Sequence, residues 1–305
     1  METGRHAALR RQRIRRLALA LGVLSLAVVF VSAYVRLDAA GFGCADWPAC
    51  YGQVLADKAN LHTGIARVLH RLGASAALVL AFAVAWQCLQ PSPIQPAARR
   101  ATALVVLMLF LAAVGIWSSD PHRAFVTFVN ILGGLGLVSL SWQIVRATDG
   151  EAQAPPPNAL LTPGLLALSA TVLLGALIGA RYAAVSCATL PFCGDVAWPA
   201  GGWAALDPRV VIAAALPAGD AGGTTLHLLH RYCALATLLL LGGAAHGALR
   251  QPATRRTALV LLALLAGEVA LGVLTVATGF NLWLGIGHSV AAAALLATAA
   301  GLRSA

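Results

Sequence analysis

The sequence predicts an all-α integral membrane protein whose eight transmembrane helices form two pseudo-symmetric four-helix bundles, and three observations predict it. The 305 residues are 59% hydrophobic and only 10% charged, with a mean hydropathy of +0.81, which excludes an ordinary soluble domain. Apolar runs of about 20 residues, the length that crosses roughly 30 Å of hydrocarbon at about 1.5 Å per residue, recur along the whole chain. Finally, one pattern occurs twice: two cysteines spaced C-x5-C, then an apolar helix carrying His-Arg, then a later helix with a polar residue near its start. The copies are Cys44, Cys50, His70-Arg71 and Asn130, and Cys187, Cys193, His230-Arg231 and His288.

Residues 1–16 form a basic tail and 17–35 the first span. A basic region before an apolar run also suggests a signal peptide, but a small-residue cleavage site is missing before Tyr34-Val35-Arg36, so the helix is expected to stay. Further spans are expected at 61–88, 100–118 and 124–146, closing a first bundle over 17–146. The stretch 147–162, with Pro155-Pro156-Pro157 among polar residues, cannot be a helix and reads as a linker. Spans at 163–183, 224–249, 257–277 and 282–302 make a second bundle over 163–305. All are expected to be helices, because a lipid-facing segment must satisfy its own backbone and nothing alternates like a barrel strand.

The net charge of +10 suggests nucleic acid until its distribution is read. Thirteen of the 21 basic residues lie in the tail (Arg5, Arg10, Arg11, Arg13, Arg15, Arg16) or at Arg99, Arg100, Arg146, Arg250, Arg255, Arg256 and Arg303. Those positions share one side of an eight-span protein, and the positive-inside rule makes that side, with both termini, the cytoplasm. The expected partner is a lipid bilayer and not nucleic acid. Oligomerisation is left open, since Ala-rich stretches such as 291–300 permit close helix contacts.

The two C-x5-C pairs fall in long outer loops, 36–60 and 184–223. There an oxidising compartment and a five-residue spacer favour the disulfides Cys44–Cys50 and Cys187–Cys193. A metal site is the weaker rival, because neither loop offers a CxxC or an adjacent histidine. Cys88 and Cys233 fall in helices.

His70 and His230 lie in the first three turns of helices entering from the outer side, and His288 two turns into the last helix, so all three are expected about 10 Å below the outer surface. An ionisable residue at that depth is a functional hypothesis by default. Each alone also reads as a packing histidine bonded to a carbonyl. As a matched pair in a duplicated unit, His230 and His288 read as facing imidazoles that clamp a haem iron, with Arg231 available for a propionate. His227, one turn earlier, is expected to line that pocket or bond a propionate. His62 and His122, each eight residues before His70 and Asn130, are expected at the mouth of the first bundle near Arg36 and Arg123, as alternative ligands, propionate contacts or solvated residues. Glu268 is the only carboxylate deep in an expected span and reads either as structural or as a proton- or haem-linked group.

Val35-Arg36-Leu37-Asp38, the block Gly43-Cys44-Ala45-Asp46-Trp47-Pro48-Ala49-Cys50-Tyr51-Gly52, His70-Arg71, Leu132-Gly133-Gly134, His230-Arg231 and His288 together resemble the haem A synthase family over essentially the whole chain. The resemblance implies two four-helix bundles, each holding a haem near the outer face, in a bacterial-type inner membrane. It implies oxidation of the C8 methyl of haem O, through hydroxylated intermediates, to the formyl of haem A, with haem O synthase and cytochrome oxidase assembly factors as partners. It implies a haem b cofactor on the carboxyl-terminal pair, here His230 and His288, and a substrate haem in the amino-terminal half between two histidines beside a glutamate. In this sequence the first of those histidines is His70, the glutamate position is Arg67 and the second histidine position is Asn130.

Two readings follow from these departures. A neutral amide is a poor iron ligand and arginine stays protonated, so the first half either holds a substrate haem on His70 alone, with one iron face open, or is degenerate. The second case leaves a non-catalytic haem b-binding membrane cytochrome or haem carrier for terminal oxidase assembly. A small-solute transporter fits less well, because such folds break their helices at mid-membrane, whereas the polar residues here cluster at the outer end.

Overall fold

The computed structural model describes residues 2–42, 61–118, 123–148, 158–199, 201–207 and 221–303. Among these are eight helices long and apolar enough to cross a membrane, and no strand. They are α1 (Glu2–Ala39), α2 (Leu61–Leu89), α3 (Ala97–Trp117), α4 (Ala124–Ala147), α5 (Leu161–Ala180), α6 (Ala221–Ala248), α7 (Pro252–Ala277) and α8 (Leu282–Arg303), with two 3-10 turns between α5 and α6.

The basic tail is itself helical. Residues 5–21 contain neither Gly nor Pro and are rich in Arg, Leu and Ala, strong helix formers, so α1 begins at Glu2 and its 38 residues run for about 57 Å. Arg10 anchors that extension by donating to the carbonyls of Gln87 (2.9 Å) and Ser92 (2.8 Å) at the α2–α3 turn. Pro252 opens α7 at a position where its missing N–H costs nothing. Of the 147–162 linker, 149–157, including the three prolines, lies outside the described residues.

Each half buries its own apolar core. One is centred on Leu21, Val84, Leu104 and Ile144, the other on Leu168, Leu241, Leu261 and Leu295. Val29, Leu135, Val138, Ala293 and Ala297 join them, so α1 and α4 of the first half pack on α8 of the second. The halves differ in one respect that positions the site. α1 and α4 pack along each other, whereas their counterparts α5 and α8 barely meet and α4 packs against both.

Candidate functional site

α6 carries His230 and α8 carries His288, and their imidazole rings face one another with centroids 6.4 Å apart and planes at 80°. Two metal–imidazole bonds of about 2 Å, plus about 1 Å from each nitrogen to its ring centre, also sum to about 6 Å. The centroid spacing thus matches that of two imidazoles on one metal.

The Nδ1 of each ring faces the preceding helix. His230 Nδ1 donates to the Thr171 carbonyl on α5 at 2.9 Å, and His288 Nδ1 lies 3.2 Å from Glu268 Oε1 on α7, close to the carboxylate but without hydrogen-bond geometry. This leaves both Nε2 atoms for a metal, with a carbonyl behind one ligand and a carboxylate behind the other, as ligating histidines usually have. Among the described residues, no group of three or more His, Cys, Asp or Glu converges as an ion site. Two imidazoles alone therefore fit a macrocycle that brings its own nitrogens better than a bare ion.

Two glycines permit the close approach. Gly175 lies one turn after Thr171 and Gly272 one turn after Glu268. A Cβ at Gly175 would stand 3.1 Å from His230 Cε1, and one at Gly272 would stand 3.2 Å from His288 Cε1. The same i, i+4 arrangement on α5 and α7 thus seats each ring against bare backbone.

The neighbours expected to serve the cofactor are engaged elsewhere. His227 is buried and its Nε2 donates to the Ala183 carbonyl at 3.0 Å, tying α6 to the end of α5. Arg231 Nη1 donates to the carbonyls of Thr189 (2.8 Å), Pro191 (3.0 Å) and Phe192 (3.2 Å), and Nη2 to that of Cys187 (3.2 Å). The guanidinium therefore clamps the loop closed by the Cys187–Cys193 disulfide, which is formed. Cys44 and Cys50 lie outside the described residues, and Cys88 and Cys233 are free thiols.

In the first half a cavity of about 240 Å³ opens between α1, α2 and α4. His70, Arg67, Arg71, Arg36, Thr127 and Asn130 line it, so the structure brings His70, Arg67 and Asn130 around one space. Three guanidinium groups beside one imidazole favour a ligand that carries carboxylates. His62, exposed in the first turn of α2, does not line the cavity, Arg123 is exposed at the start of α4, and His122 lies outside the described residues. Thr171, Gly175 and Gly272 escape sequence reasoning. Their only signal is the repeated four-residue spacing of Thr171–Gly175 and Glu268–Gly272 on the helices that precede the histidine helices.

A family model described as COX15-CtaA, cytochrome oxidase assembly protein, matches residues 70–300. The chain is 28% identical over 311 residues to a protein of Shewanella oneidensis named Heme A synthase, covering 90% of this chain and 91% of that one. Proteins of the same name from Rhizorhabdus wittichii (28% identical, 52% of this chain and 45% of that one) and Sphingopyxis alaskensis (27%, 66% and 58%) match shorter stretches.

Proposed function

Because the chain belongs to the COX15-CtaA family of cytochrome oxidase assembly proteins, we propose that it works as a haem A synthase, an oxidoreductase of the bacterial membrane that converts the C8 methyl of haem O to the formyl of haem A. The observation that carries the reading is the imidazole pair of His230 and His288, spaced for one iron and backed by Thr171 and Glu268. That pair holds haem b, which when bound supplies one-electron redox chemistry close to the substrate half.

The first half is the substrate side. His70 holds haem O, and Arg36, Arg67 and Arg71 meet its carboxylates, while Asn130 faces the cavity as a neutral amide that leaves one side of the substrate open. Arg67 serves as an anion-binding group. The loop closed by Cys187–Cys193 covers the outer end of the second bundle, and both termini lie in the cytoplasm with the basic face. Haem O synthase, which supplies the substrate, and cytochrome oxidase assembly factors, which take up the product, are the partners this role requires.

The test is to purify the protein from a host that also makes haem O and to chromatograph its extracted haems. Haem A or its hydroxylated precursor in the wild type, absent in His70→Ala, supports the synthase. Haem b alone, lost only in His288→Ala, makes the chain a cytochrome or haem carrier.

A further inference from the structure

Arg36, in the last turn of α1, belongs to both halves at once. It lines the cavity beside His70, and its Nη2 donates at 3.3 Å to Ser289 Oγ on α8. Ser289 directly follows His288, and its hydroxyl donates onward to the Gly285 carbonyl at 3.1 Å. The guanidinium reaches α8 across bare backbone of α5, since a Cβ at Gly179 would stand 2.7 Å from Arg36 Nη1. Gly179 lies one turn after Gly175, which seats His230. One side chain thus touches the first-half cavity, the helix that supports one imidazole and the residue beside the other.

The corresponding residues of the two halves differ at this point. The offset of 158 residues that relates Asn130 to His288 relates Ile131 to Ser289, and isoleucine has no hydroxyl to accept a bond. Arg181, the arginine at the corresponding end of α5, is fully buried and donates to the Ala205 carbonyl in the loop above its own half. Duplication therefore explains the two sites but not the bridge between them.

We propose that Arg36 is a positioning residue that couples the two sites: it binds a carboxylate of the tetrapyrrole in the first half and transmits that occupancy through Ser289 to His288 and its haem. This rests on the reading of the first half as the substrate side. A guanidinium can hold a carboxylate with one edge while its other edge bonds a hydroxyl. Drawing Arg36 toward a bound carboxylate changes the bond to Ser289 and hence the orientation of the neighbouring imidazole.

The experiment uses the purified full-length protein carrying haem b, titrated with zinc protoporphyrin IX, a tetrapyrrole with two carboxylates and a metal silent in electron paramagnetic resonance, and with its dimethyl ester. In the wild type, binding of the zinc porphyrin shifts the g-values of ferric haem b. The ester binds about tenfold or more weakly, as does the zinc porphyrin to Arg36→Gln. Ser289→Ala binds the zinc porphyrin with unchanged affinity and full haem b content, yet shows no shift. Gly179→Ala, whose added carbon displaces the guanidinium, loses the shift as well. A wild-type shift in Ser289→Ala overturns the coupling and leaves the substrate side intact. Failure of the wild type to bind the zinc porphyrin overturns both.

Discussion

Gly272 is the position where one added group tests the haem clamp. A Cβ there stands 3.2 Å from His288 Cε1, inside the ordinary carbon–carbon contact of about 3.5–4.0 Å, so alanine forces the ring back by a few tenths of an ångström. An iron–imidazole bond absorbs that, and Gly272→Ala is expected to cost about 1 kcal/mol or less while keeping a six-coordinate low-spin haem. Valine adds two methyls about 1.5 Å beyond the Cβ, and with either facing the ring His288 is driven off the iron, at about 1–3 kcal/mol of overpacking. Absorption and electron paramagnetic resonance of purified Gly272→Val are expected to show high-spin haem held by His230 alone, with weakened retention. Gly175→Val is expected to do the same with His288 as the surviving ligand, since the contact there is 3.1 Å. A full complement of low-spin bis-imidazole haem in Gly272→Val would refute the reasoning, because the ring could not then be where the clamp requires it.

Other outcomes follow from the same contacts. Glu268→Leu removes the carboxylate behind His288 and is expected to weaken haem b binding about 10–100-fold, read by transfer to apomyoglobin, with Glu268→Gln in between. His227→Ala is expected to leave the haem b spectrum unchanged but to lower stability by about 0.5–1.5 kcal/mol, because the Ala183 carbonyl loses one of two donors and keeps the Ser186 N–H; a changed spectrum would place His227 in the haem pocket after all. Arg231→Ala takes the donor from four loop carbonyls and is expected to speed thiol reduction of Cys187–Cys193, followed by alkylation and mass spectrometry; an unchanged rate would mean the clamp does not hold the loop. Asn130→His restores a second imidazole to the first half and is expected to add a second low-spin haem while slowing conversion, and no added low-spin haem would remove residue 130 from the iron's reach.

The eight spans were legible because a lipid-facing helix needs a long apolar run, and nothing but length and composition decides that. The duplicated His-Arg pattern also singles out His230 and His288, whose rings meet between α6 and α8. What the sequence hid is what sits behind each ring. The Thr171 partner of His230 is a backbone carbonyl, which every residue possesses, and Gly175 and Gly272 act through an absent side chain, so composition carries no trace of either. Glu268 was conspicuous as a lone deep carboxylate, yet only the packing of α7 on α8 shows that it meets His288. Arg231 adjoins His230 in sequence, but a helix turns about 100° per residue and its guanidinium meets the outer loop, while His227, one turn earlier on nearly the same face, bonds the end of α5.

The most direct measurement is to express the chain in a bacterium that makes haem O but lacks its own haem A synthase and to analyse the haems of its membranes by chromatography and mass spectrometry. The account predicts that haem A appears and that the terminal oxidase regains its haem A absorption. Membranes that contain the protein with its full haem b, yet only haem O and no formyl or hydroxylated product, would contradict it.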